Sequence, residues 1–205
     1  MLRMGVNGKG TCFYHTIKAV IDPAVYIDRS GGEQMSLGRS FRLGLVKRVK
    51  DTWVPFWLSK QWPREKIPEI STIKKDLGNF AEWADIFTII WTVQCILDLN
   101  IIVFDVKHSQ IYCGTHRVGS KRPTIFMAWV KGRHFEPIVQ WDSHRKTIRT
   151  LFNHNHPTLV GVLRMYESSQ CPRVSLHHLL SRRRRAGGGA GDEEDESAWS
   201  FPFGM

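Results

Sequence analysis

Cys12 stands directly behind Gly8-Lys9-Gly10-Thr11 and heads a segment, Cys12 to Ile21, in which Phe13, Ile17, Val20 and Ile21 recur at helical spacing before Pro23 ends it. A helix N-terminus carries unpaired N–H groups and the positive end of the helix dipole, which favour a thiolate over a thiol. The same donors can receive an oxyanion when sulfur attacks a carbonyl carbon. Glycines let the chain turn tightly enough to aim them. A packing cysteine needs no glycine turn before it, yet buried structural thiols are common, so both readings stand at this level.

A nucleophilic thiol needs a base that takes its proton and returns it to the leaving group. Of nine His, His134 follows Lys131-Gly132-Arg133 and begins a predicted strand, where an imidazole at a sheet edge can meet a helix N-terminus. Glu136, two residues on, faces the same side because side chains alternate along a strand, and a carboxylate there can orient the ring. Asp142 and Asp105 are weaker candidates for that duty. A surface histidine in a turn is the plainer alternative for His134. His15 falls on the neighbouring helical face, His154-Asn155-His156 reads as a polar loop, and His177-His178 precede the C-terminal tail. The pairs His154/His156 and Cys113/His116 lack a second pair to complete a tetrahedral site, so no metal is expected.

The elements that must bring these groups together are legible in outline. Residues 24–35 read as loop around Gly31-Gly32. A basic amphipathic helix is predicted from Leu37 to Trp53, with Leu37, Phe41, Leu45, Val49 and Trp53 on one face and Arg39, Arg42, Lys47, Arg48 and Lys50 mostly solvated. Pro55, Pro63 and Pro68 punctuate an irregular stretch before a short helix from Ile73 to Phe80. Ile86, Ile89, Ile90, Val93 and Leu97 mark a buried helix, opened by Asp85 and closed at Asp98, that feeds a strand over Ile101 to Phe104. Ile111 to Cys113, Thr124 to Val130 and His134 to Gln140 follow as strands, the last two joined by a hairpin at Gly132. Thr158 to Met165 is expected to add another strand. Helices followed by strands define an α+β class, a central, mostly antiparallel sheet packed against helices.

A chain of 205 residues with 42% hydrophobic and 11% aromatic residues has a folded composition, long enough to bury a core without metal or disulfide. It divides into a domain over residues 1–180 and a low-complexity, disordered tail over 181–205, where Arg182–Arg185 are outweighed by the acids of 192–196. With the tail at −1 and the whole chain at +10, the body carries about +11, which makes nucleic acid a secondary candidate partner. The four arginines suit a nuclear address or a solubilising run equally, and Trp199 to Phe203 suits a docking peptide. Four scattered cysteines without a CxxC pair point to a reducing compartment, cytoplasmic or nuclear. No signal-peptide core opens the chain, and the longest apolar stretch, Ile86 to Ile102, is broken by Gln94, Asp98 and Asn100, so no membrane partner is expected.

Three blocks in order resemble the ovarian-tumour (OTU) family of cysteine proteases. Lys9-Gly10-Thr11-Cys12-Phe13-Tyr14 is similar to its acid–Gly–x–Cys–x–aromatic signature; Trp83-Ala84-Asp85 with the helix to Leu97 and Asn100 to Asp105 resembles its second block; His134-Phe135-Glu136-Pro137-Ile138-Val139 resembles its histidine strand. The resemblance covers roughly residues 5–142. It implies a papain-like OTU fold, a cofactor-free monomer, and hydrolysis of isopeptide bonds to ubiquitin or a ubiquitin-like modifier through a thioester. In that scheme Cys12 is nucleophile, His134 base and then acid, Glu136 the orienting carboxylate, and the Gly10 and Thr11 amides the oxyanion donors; Trp83 is a packing residue. One departure is Lys9, where the family carries Asp three positions before the nucleophile. It keeps open a second reading, a catalytically silent OTU-like domain that binds ubiquitin or another protein. The lead before Cys12 is short, leaving little chain to brace the catalytic turn.

Overall fold

The structure, a computed structural model, describes residues 1–6, 10–50, 68–80, 88–113 and 121–169. Its spine is strand β2 (Asn100–Asp105), buried along its whole length. The run Ile101-Ile102-Val103-Phe104 shows no polar alternation because both faces are covered: Ile101 and Val103 enter one apolar cluster, Ile102 and Phe104 another. Strand β4 (Thr124–Val130) runs parallel to β2 with Ile101 opposite Ile125, and β3 (Gln110–Cys113) lies antiparallel on the other edge. Strand β5 (His134–Asp142) returns antiparallel to β4 through the turn at Gly132, which sits at φ 66°. Strand β1 (Leu2–Arg3) closes the far edge, giving the order β1-β5-β4-β2-β3, while β6 (Thr147–Arg149) pairs the end of β5. With a single parallel pair in it, the sheet is the mostly antiparallel one expected.

On one face lie α1 (Cys12–Ile21), α3 (Gly31–Arg48), α4 (Ile70–Gly78) and α5 (Thr88–Leu97), which contribute Phe13, Ile17, Leu45, Ile73, Leu77 and Val93 to the larger cluster. The short α2 (Pro23–Ile27) joins α1 to α3. On the other face, Leu159, Val162 and Leu163 of α6 (Pro157–Ser169) cover Ile102, Phe126 and Ile138. This last element corrects the expectation of a strand over Thr158 to Met165. Pro157 occupies the first helical turn, and Leu159, Val162 and Leu163 fall at i, i+3 and i+4, so the apolar run serves a helical stripe.

Residues 24–35 are likewise not one loop: 24–27 belong to α2, 28–30 turn, and 31–35 begin α3. Ser30 and Glu33 form a capping box, with Glu33 N–H donating to Ser30 Oγ at 3.4 Å and Ser30 N–H to Glu33 Oε2 at 2.9 Å, which starts α3 at Gly31 despite two glycines. The helix ends by Arg48, short of the predicted Trp53. Arg42, assigned to its solvated side, is fully buried. Its Nε donates to the Leu77 carbonyl and its Nη2 to the Asp76 carbonyl at 2.7 Å, filling the acceptors that the last turn of α4 leaves open. The guanidinium lies 4.5 Å above the Tyr14 ring.

Two further strands escaped the sequence reading. β6 is three residues long, all exposed, and β1 is two residues long. β1 nevertheless answers the short lead: Leu2 and Arg3 pair with Val139 and Ile138, and Met4 N–H donates to Pro137 O at 3.0 Å. Trp53, Trp83, Asp85, Ile86, His116 and everything from residue 170 on, including the charged run and aromatic end, lie outside the described residues. Among the described residues no helix is long and apolar enough to cross a membrane.

Candidate active site

Cys12 is the first residue of α1. Gly10, one residue before the N-cap, adopts φ +77°, and a Cβ there would lie 3.3 Å from the Phe80 carbonyl, so the turn requires a residue without a side chain. Thr11 caps the helix with its backbone alone: its carbonyl accepts from Tyr14 and His15 N–H at 3.0 and 3.1 Å, and its hydroxyl makes no cap bond. The first-turn amides of Cys12 and Phe13 are directed at the sulfur.

The thiol meets the sheet at an edge. β1 occupies the rim of β5 only as far as Pro137, and beyond it the N-terminal turns of α1 take the place of a strand. Phe135 N–H donates to Cys12 Sγ at 3.4 Å, and Thr16 Oγ1, one turn further along α1, donates to Phe135 O at 2.9 Å. Both main-chain groups of Phe135 are thereby fixed to one face of α1. Its ring packs on Phe13 at 5.4 Å and stacks on Trp129 at 5.9 Å. The sulfur also lies 3.9 Å from Arg133 O. The Cys12 side chain is thus bracketed by the residues immediately before and after His134. Thr16 was missed in the sequence, although its i+4 spacing from Cys12 puts both on one helical face.

Phe135 packs in the cluster with the helices, and alternation along β5 puts His134 and Glu136 on a shared side of the strand. His134 Nε2 is 3.8 Å from Glu136 Oε1, an ion-pair separation longer than a hydrogen bond. The other oxygen, Oε2, is 3.4 Å from Arg3 Nε on β1. The described hydrogen bonds of the Cys12 sulfur are to main chain, with Phe135 and Arg133, and the described partner of the imidazole is Glu136. The other two carboxylates are engaged elsewhere. Asp105 is buried against His108, with Oδ2 2.7 Å from Nδ1, and Asp142 accepts the His144 and Arg145 amides of the β5–β6 turn. His156 is also committed, accepting from Thr158 N–H at 3.3 Å.

The electrostatics run against one expectation. A helix terminus favours thiolate, but Cys12 is 1% exposed and burial pushes its thiol pKa up, with the nearby Glu136 charge adding to the rise. The N–H groups of Phe135, Phe13 and Cys12 pull the other way and are outweighed. The resting group is a thiol whose anion is already provided with donors.

His15, set aside as unremarkable, is fully buried between Tyr26, 5.8 Å away ring to ring, and Gly38, where a Cβ would come within 2.3 Å of the imidazole. Burial, with a smaller contribution from the His134 charge, lowers its pKa to about 4. The fold therefore holds His15 neutral while the unfolded chain protonates it, and stability falls as pH drops from about 6.5 toward 4. Between pH 7 and pH 5 this residue is expected to account for about 2 kcal/mol of lost stability. Denaturant titrations at the two pH values check it: His15→Asn should shrink the difference, and an equal difference in the variant counts against it.

Cys12 heads a helix, and its sulfur is seated at the edge of β5 against the main chain that flanks His134. No protein-family model matches the sequence, and no curated protein does. Solved structures do. An OTU domain in complex with ubiquitin is 18% identical, with 79% of this chain and 80% of that one covered at a TM-score of 0.50. The OTU domain of OTUD1 is 18% identical over 66% of this chain and 83% of its own, with a TM-score of 0.45. The viral OTU domain protease from Dera Ghazi Khan virus is 17% identical over 74% and 81%, with a TM-score of 0.42. The chain has an OTU-like fold.

Proposed function

We propose that this chain is an OTU-type cysteine peptidase that hydrolyses isopeptide bonds to ubiquitin or a ubiquitin-like modifier. The observation that carries the reading is the seating of Cys12 Sγ between Arg133 O and Phe135 N, the main chain on either side of His134. In the reaction, His134 takes the thiol proton and sulfur attacks the carbonyl carbon of the modifier's C-terminal residue. Negative charge develops on the carbonyl oxygen, facing the amides of Gly10, Thr11 and Cys12 at the head of α1. The protonated imidazole, steadied by Glu136, gives its proton to the departing amine, and the C–N bond breaks to leave a thioester. Water, deprotonated by His134, then attacks the thioester carbonyl, and the thiol is restored. Burial of the thiol gives this scheme a consequence: the thiolate forms with substrate in place rather than at rest.

The complex of one OTU domain with ubiquitin supports ubiquitin as the ligand class. A second reading, a silent OTU-like domain that binds without cleaving, is favoured by one observation: the resting thiol is buried and bonded to main chain rather than to the imidazole. Ubiquitin carrying a thiol-reactive group at its C-terminus separates the two. Covalent capture at Cys12 supports the enzyme, whereas saturable binding with no adduct supports the module. Glu136→Gln keeps an acceptor near His134 but removes the charge that steadies the imidazolium, and is expected to slow turnover at least about tenfold. A rate unchanged in this variant would remove Glu136 from the scheme.

A further inference from the structure

We propose that Arg3 is a positioning residue of this site: carried on β1, its guanidinium holds the Glu136 carboxylate in the orientation that faces His134. The inference rests on the peptidase reading above and adds a residue far in sequence from His134 and Glu136. Arg3 lies opposite Ile138 in the β1–β5 register, and cross-strand partners share a face of the sheet, so Arg3 joins the face of His134, Glu136 and Ile138. From there Arg3 Nε reaches Glu136 Oε2 at 3.4 Å, while Glu136 Oε1 is the oxygen toward His134 Nε2 at 3.8 Å. Each carboxylate oxygen thus has its own partner, and His134, Glu136 and Arg3 form a row along one side of β5.

Glutamate needs such a partner. Its carboxylate hangs on three rotatable bonds, and unheld it would spend much of its time turned away from the ring. A guanidinium fixed by backbone pairing supplies a planar donor that removes that freedom. The backbone fixes it well: Leu2 and Arg3 are paired with β5 and Met4 N–H is bonded to Pro137 O. An opposing effect exists, because a cation near the row disfavours the imidazolium. The Arg3 and Glu136 side chains are about a quarter and a fifth exposed, which damps a charge acting through another residue more than it damps a direct contact. Positioning wins, so removing Arg3 slows the reaction.

The test is a kinetic double-mutant cycle on the full chain with a fluorogenic ubiquitin C-terminal amide. Arg3→Gln is expected to lower kcat roughly five- to tenfold with KM within about twofold, and Arg3→Lys to recover part of the loss. In the Glu136→Gln background, Arg3→Gln should change kcat by less than about twofold, because its effect passes through the carboxylate. Full kcat in Arg3→Gln overturns the proposal. So does an equal loss in both backgrounds, which would mean that Arg3 only secures β1. A wild-type chain that neither turns over nor is captured at Cys12 overturns the peptidase reading, and this inference with it.

Discussion

Cys12→Ala is expected to reduce hydrolysis of a ubiquitin C-terminal amide by at least about a thousandfold and to abolish covalent capture by a thiol-reactive ubiquitin. The expected size follows from the absence of any substitute. The scheme requires a covalent bond to carbon at the head of α1, and water held by His134 cannot form the thioester. The fold should tolerate the change. Sγ is a small atom at the edge of a cluster in which Phe13, Tyr14 and Ile17 carry most of the contact, and Thr16 continues to tie α1 to Phe135 O. Losing the sulfur is therefore a chemical lesion rather than a structural one. Steady-state kinetics on folded variant protein is the measurement, and unchanged turnover ends the assignment. Retained ubiquitin affinity together with lost turnover is the expected pair of results.

Arg42→Met should be the most damaging single change to stability on the helical side, costing about 3 kcal/mol or more. Methionine matches much of the aliphatic stem but cannot donate. Without the guanidinium, the Asp76 and Leu77 carbonyls at the end of α4 stay buried without these donors, and the Tyr14 ring loses the cation above it. Tyr14 lies two residues from Cys12 and is fully buried, which pushes its pKa to about 12 despite the Arg42 charge. The loss should appear as a lower urea midpoint with little change in the denaturant slope. A midpoint within the error of the wild type would show that Arg42 is dispensable. Turnover per folded molecule should fall less than stability, since Arg42 touches none of the reacting atoms.

Elements with strong local signals were legible in the sequence. The period-four stripe of α1, the buried run of β2 and the Gly132 hairpin between β4 and β5 all formed with bounds near those expected. Errors arose where two signals competed. Gly31-Gly32 spoke for a loop, but the Ser30–Glu33 capping box won, because reciprocal side-chain bonds offset the glycine cost. Thr158 to Met165 is rich in aliphatic residues and suggested a strand, yet Pro157 and an i, i+3, i+4 stripe suited a helix over Phe126 and Ile138. Arg42 was assigned to solvent by charge alone, and no local pattern says that a helix C-terminus will arrive at that point to accept its protons.

The candidate site divides in the same way. Sequence alone determined that Cys12 follows a glycine turn at a helix start, and that His134 and Glu136 share one side of a strand, because both facts depend on spacing within a few residues. Only the tertiary structure decided that the two segments meet, that Phe135 and Thr16 are the joint between them, that burial outweighs the helix terminus at the thiol, and that Arg3 reaches Glu136. Those outcomes depend on which strand edge α1 fills and how much water remains there. They are set by packing between residues more than a hundred positions apart, and local periodicity carries no information about such pairings.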